Sequence, residues 1–150
     1  MRYWLLKSEP ETYSIDDLAR EGRTLWDGVR NYQARNNLAS MKVGDLCYFY
    51  HSVKDPGIVG ICRVSAEARP DPSQFDPSSR YYDPESDPQR PRWVAPEVEF
   101  VEKFPRPLSL ARLKATPGLE AMEVNRKGSR LSVQPVRPEE WDLILRLARS

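Results

Sequence analysis

Residues that ordinarily carry metal or redox chemistry are scarce in this chain of 150 residues. It has one histidine, His51, and two cysteines, Cys47 and Cys62. No C-x-x-C pair occurs, so an ordinary transition-metal site has no ligand set. The same count excludes the zinc deaminases, which act on bases through a His/Cys-held ion. The two cysteines sit in separate apolar runs and read as small buried hydrophobes of a reducing compartment, neither a bridge nor a metal site. No apolar run reaches the roughly 18 residues that a membrane-spanning helix needs. The opening Met1-Arg2-Tyr3-Trp4-Leu5-Leu6-Lys7 is too short for a signal-peptide apolar region, so a cytoplasmic location is expected. A glycine-rich phosphate loop is missing too, because Gly57-Ile58-Val59-Gly60 lacks the lysine and the spacing. Nor is there an excess of charge: 23 Lys+Arg face 22 Asp+Glu, which excludes a grip on nucleic acid by bulk charge alone.

What is present is skewed. The basic residues comprise 17 Arg and 6 Lys. Arginine suits bidentate hydrogen bonding and stacking on flat groups, although arginine-favouring codon usage would give the same skew. The near-zero net charge also hides opposed segments. Residues 65–104 carry 5 basic and 9 acidic side chains, whereas residues 105–150 carry 9 and 5. That leaves room for a local arginine-lined pocket. Seven of the 14 prolines lie in residues 70–96. Such a segment is neither helix nor central strand, and its tyrosines with Trp93 predict a loop packed on the body.

One domain over residues 1–150 is expected, since a fold of this length buries roughly 68–70% of its unfolded surface. Residues 2–8 read as a buried strand. Ser14, with Asp17 three residues on, predicts a helix that Gly22 stops. A second helix is predicted from Asn31 to Met41. The aromatic run Leu46–His51 and the β-branched run Ile58–Val64 form a hairpin across Asp55-Pro56-Gly57. A strand near Glu97–Phe104, a short helix capped by Ser109, a strand over Arg130–Gln134 and a helix opening at Pro138 complete the chain. The class is α+β, a small, mostly antiparallel barrel or sheet with peripheral helices.

The densest polar-aromatic stretch is Trp26-Asp27-Gly28-Val29-Arg30-Asn31-Tyr32-Gln33-Ala34-Arg35-Asn36. Trp26 and Tyr32 offer flat surfaces, Asn31 a donor and an acceptor, and a helix start carrying Arg30 suits an anion. Asn31 and Arg35, four apart, share a helix face. The other reading makes Trp26 and Tyr32 core, Asn31 a cap and the arginines solvated. Further polar spots stand at strand ends: Lys7-Ser8, His51-Ser52, and Arg130, Ser132 and Gln134. His51 is either a general base or a hydrogen-bonded structural residue.

Three long strings have a family likeness: Tyr3-Trp4-Leu5-Leu6-Lys7-Ser8-Glu9-Pro10, the Trp26–Asn36 stretch, and Phe49-Tyr50-His51-Ser52. So do Tyr81-Tyr82-Asp83-Pro84, Pro91-Arg92-Trp93, Lys103-Phe104-Pro105-Arg106-Pro107 and Arg130-Leu131-Ser132-Val133-Gln134-Pro135. Together they resemble the EVE domain from end to end, in order. The resemblance implies a PUA-like fold, a mixed, mostly antiparallel β pseudo-barrel with flanking α-helices. It also implies a reader of modified cytosine, of the 5-methyl or 5-hydroxymethyl type, in DNA or RNA.

The expectation is therefore a non-enzymatic nucleic-acid binder working as a monomer, with no cofactor, no metal and no membrane partner. Its base-binding residues are expected among Ser8, Trp26, Asn31, Tyr32, Tyr50, His51, Ser52, Ser132 and Gln134. Lys7, Arg30, Arg35 and Arg130 are expected to hold phosphate. Two alternatives stand beside it: a small RNA-processing hydrolase using His51 and Lys7, and a sensor of a free nucleoside or small anion.

Overall fold

The computed structural model describes residues 1–150. The strands are β1 (Tyr3–Ser8), β2 (Arg23–Leu25), β3 (Leu46–His51), β4 (Gly57–Pro70), β5 (Val94–Ser109) and β6 (Val133–Val136). The helices are α1 (Ile15–Glu21), α2 (Tyr32–Ser40), α3 (Leu110–Ala115) and α4 (Pro138–Ala148). All six strands join one sheet in the order β2-β5-β4-β3-β1-β6. Only β1 and β3 run parallel; the other four pairings are antiparallel. The mixed, mostly antiparallel α+β architecture is thus as expected. Closure into a barrel is not: β2 and β6 remain edges. They have three and four residues, and Pro135 takes one N–H from β6, so they offer few groups for pairing.

Alternation along the strands builds a core on each face. Trp4, Leu6, Cys47 and Phe49 point to one face and meet Ile15 and Leu18 of α1 and Ala34 and Leu38 of α2. Leu5, Tyr48 and Tyr50 point to the other and meet Leu113 of α3 and Trp141 and Ile144 of α4. Trp141 stacks on Tyr48 at 3.8 Å and on Tyr3 at 4.7 Å. Cys47 and Cys62 face each other across β3 and β4 as buried free thiols. The neighbouring Cys62 thiol, then burial, push the Cys47 pKa up, which keeps it protonated.

Helix starts follow the sequence signals. Ser14 Oγ accepts the Asp17 N–H (3.1 Å) while the Asp17 carboxylate accepts the Ser14 N–H (2.9 Å). Ser109 Oγ accepts the Arg112 N–H, and Pro138 opens α4. Several elements differ from expectation. β2 carries no alternation signal in three residues, β4 runs on to Pro70, and β6 starts at Val133, leaving Arg130 and Ser132 in the preceding loop. Against the expectation that the proline-rich segment holds neither helix nor central strand, Pro72–Phe75 form one 3-10 turn and Val94–Pro96 open β5, an interior strand that also runs on through Pro105 and Pro107. Register shifts along β4 and β5 accommodate prolines that a regular ladder would reject.

The proline-rich segment is tied down by a buried glutamine. Gln74 Nε2 donates to the carbonyls of Asp71 and Trp93, and its Oε1 accepts from the Trp93 N–H and the Ser86 hydroxyl. Trp93 Nε1 donates to Asp83 at 2.7 Å. Tyr81, in the same segment, is held through its carbonyl, which accepts from Arg30.

Candidate nucleic-acid interface

Where β1 ends, its last two residues meet the loop before α1, the segment running from β2 to α2, and the proline-rich segment. Between them lies a cavity of about 330 Å³. Its wall includes Lys7, Ser8 and Ser132 on one side, Tyr13 and Trp26 as aromatic surfaces, Asp27 to Arg30, and Arg80 and Tyr81. That volume lies at the small end for ligand sites and suits a single flat ring with its substituents better than a dinucleotide.

Each lining group is held by a local cause. Ser8 Oγ donates to the Tyr13 carbonyl at 2.6 Å, which leaves its lone pairs for a ligand. Trp26 is almost buried, edge-on to Phe49 at 5.4 Å and to Tyr13 at 6.4 Å. Burial, then the hydrogen bond its hydroxyl donates to Glu21, push the Tyr13 pKa up to about 12. Burial lowers the Lys7 pKa against the pull of Glu123, and no carboxylate pairs with it. Its ammonium lies 5.7 Å from the Tyr50 ring centroid. Partial desolvation and the nearby Asp71 raise the Asp27 pKa. Gly28 adopts φ +83° and donates its N–H to Asp71 at 2.8 Å.

Arg30 lines the cavity but is not free to bind phosphate. Its Nε and Nη2 donate to the Tyr81 carbonyl, Nη1 to Asp71 and the Val29 carbonyl, and Nη2 also to the Ser73 hydroxyl. Those bonds engage all five guanidinium N–H groups. Burial alone would raise the Asp71 pKa, but hydrogen bonds from Ser73, Gly28 and Arg30 more than offset this and hold it below the usual carboxylate value. Arg30 is a clasp between the segment after β2 and the proline-rich segment.

Of the expected site residues, the cavity gathers Lys7, Ser8, Trp26, Arg30 and Ser132. The others lie elsewhere, each for a definable reason. Asn31 caps α2, its Oδ1 accepting the Ala34 N–H at 2.9 Å. Tyr32 projects outward and stacks on Trp93 at 4.9 Å. Arg35 donates to the Arg92 carbonyl and sits over Tyr32 at 4.8 Å. Tyr50 is core, and buried Gln134 donates to the Leu131 carbonyl. His51 Nε2 accepts the Ile15 N–H at the start of α1 (3.1 Å), so the structural alternative applies. Ser52 donates its backbone N–H to the Ser8 carbonyl, and Arg130 lies in a neighbouring groove. Tyr13, Asp27, Arg80 and Tyr81 are the additions. Asp27 and Tyr81 stand inside the conspicuous sequence strings, whereas Tyr13 and Arg80 carry no local signal.

A six-stranded α+β sheet with helices on both faces and an aromatic-walled cavity at a strand end defines the class of protein. The EVE domain family model matches residues 2–147, and the chain belongs to that family. No helix in it is long and apolar enough to cross a membrane. The chain is similar to human thymocyte nuclear protein 1, with 43% identity over 97% of this chain and 73% of that protein. A crystal structure of a Pseudomonas putida protein shares 52% identity at a TM-score of 0.95, covering 97% of this chain and 99% of that one. The human protein's crystal structure in complex with 5-methylcytosine-containing DNA shares 42% identity at a TM-score of 0.93, covering 100% and 99%.

Proposed function

We propose that this chain binds DNA carrying a modified cytosine and takes that base, out of the stack, into the cavity bounded by Ser8, Tyr13, Trp26, Asp27 and Tyr81. The observation that carries the reading is the cavity itself: a ring-sized space with aromatic walls and polar side chains at its edge. The complex of the human relative with 5-methylcytosine DNA supports it. A flipped base costs a few kcal/mol to unstack. Stacking in the cavity returns about 1–3 kcal/mol. In this reading Asp27 accepts from the exocyclic amine of cytosine, and the Ser132 hydroxyl donates to the ring's acceptors. Leu25, Val29 and Trp26 supply apolar wall for a methyl group. Such contact discriminates by about 10–200-fold at most.

The same geometry supports binding without chemistry. The imidazole of His51, the only histidine, lies outside the cavity wall, and its Nε2 lone pair is engaged by a helix N–H. The reading is tested by titrating short single-stranded oligonucleotides that differ only in one central cytosine, its 5-methyl or its 5-hydroxymethyl form. Tighter binding of a modified form, weakened by Asp27→Ala, is the expected result. Equal affinity for all three forms contradicts the reading.

A further inference from the structure

Three exposed cations, Arg126, Lys127 and Arg130, crowd one turn between α3 and β6. The turn is rigidly built. Arg126 N–H donates to Glu123 O (3.0 Å), Ser129 N–H to Arg126 O (3.2 Å), and Gly128 takes φ +77°. Asn125 Nδ2 anchors it to the carbonyls of Leu113 and Leu119. Facing the turn is the start of α2, with Asn31 and Gln33, across a groove of about 340 Å³. The groove holds one carboxylate, Glu123, at 3.7 Å from Arg126. Three cations against one acid make this a local excess of two positive charges in a chain whose whole net charge is +1.

Groove and cavity are continuous along the chain. Arg130 and Leu131 line the groove, and the next residue, Ser132, lines the cavity and accepts the Lys7 N–H through its carbonyl (2.9 Å). The cavity wall also carries the carboxylates of Glu9 and Asp27. We propose that the groove is a second binding site, which takes the phosphodiester backbone on one side of the read base. This rests on the base-reading proposal above. The strand leaves the cavity past Ser132 towards the Arg126–Arg130 turn. Because phosphate contacts position without specifying, the groove governs affinity and salt dependence and leaves base choice to the cavity.

The test is the triple variant R126Q/K127Q/R130Q, all three sites being exposed. It is titrated with two single-stranded oligonucleotides, one with a central 5-methylcytosine and one with cytosine, from about 50 to 200 mM salt. Free 5-methyl-2′-deoxycytidine, which has no phosphate, serves as the third probe. The variant is expected to bind both oligonucleotides about tenfold or more weakly at low salt, by the same factor, and to keep nucleoside binding. Its log–log salt slope becomes shallower by about 2, at roughly 0.7 per phosphate on a single strand. Wild-type affinity and slope in the variant overturn the groove and leave base reading standing. A loss that depends on cytosine modification, or a loss of nucleoside binding, also overturns it as a separate site. A shallower slope in the variant, with a wild type indifferent to modification, supports the groove while base reading fails.

Discussion

Gly28 rests on the ring of Tyr81: a β-carbon at position 28 would lie 2.7 Å from the ring atoms Cε2 and Cζ. The same glycine holds φ +83°, and its N–H is bound to Asp71. Gly28→Ala therefore meets both a backbone penalty and a clash, and Tyr81 must move from the cavity wall. A stability loss of about 1–3 kcal/mol is expected by chemical denaturation, together with weaker oligonucleotide binding. Gly44, also at positive φ but with nothing within 4 Å, provides the control: Gly44→Ala costs stability without touching binding.

Asp71 is fully buried and Arg30 largely so, 3.0 Å apart, and removing either leaves the other uncompensated. Asp71→Ala should destabilise the protein by about 3–5 kcal/mol. Arg30→Lys should also be costly, since one ammonium cannot replace five donors in a fixed fork. Proteolysis should then cut first within residues 72–92, the segment this clasp holds down.

His51 makes stability depend on pH between 7 and 5. Burial lowers its pKa, Asp16 partly opposes this, and Lys103 adds to it. Protonation thus favours the unfolded chain, whose histidine titrates near 6.5, and stability falls as pH drops below about that value. Protonated Nε2 also could not accept the Ile15 N–H. His51→Gln should flatten Tm between pH 7 and 5. Asp71 and Asp45, whose pKa values are depressed, lose their contribution only at lower pH, as it falls through their folded-state values from about 4.

Tyr81 and Tyr32 separate the cavity from the helix surface beside it. Tyr81 lines the cavity, whereas Tyr32 is 52% exposed on the stack with Trp93. Tyr81→Ala is expected to weaken oligonucleotide binding by about 1–3 kcal/mol. Tyr32→Ala should leave it unchanged in the same titration.

Signals that act over a few residues were legible in the sequence. The Ser14–Asp17 box, the Ser109 cap and the hairpin at Asp55-Pro56-Gly57 each reflect local bonding that tertiary context did not override. The helix expected to open at Pro138 does so, with Glu139 and Glu140 in the first turn of α4, where the helix dipole favours them. What escaped depended on distance along the chain. Arg30 looked like a phosphate ligand because nothing local shows that Asp71, Ser73 and Tyr81 arrive to engage it. Asn31 and Tyr32 share a string with Trp26, but the start of α2 turns them out of the cavity. His51 and Tyr50 are adjacent on a strand, so alternation sends them to opposite faces and neither reaches the wall. Open sheet edges in place of a barrel follow from strand lengths that no motif displays.

The central claim is a location: the base enters the cavity at the end of β1. Backbone and indole NMR shifts, followed during titration with an oligonucleotide bearing one 5-methylcytosine, test it most directly. The account predicts the largest shifts at Ser8, Asp27, Gly28, Tyr81 and the Trp26 indole, which all line that cavity. Shifts confined to the Tyr32–Trp93 surface or to His51, with those residues unmoved, would contradict it.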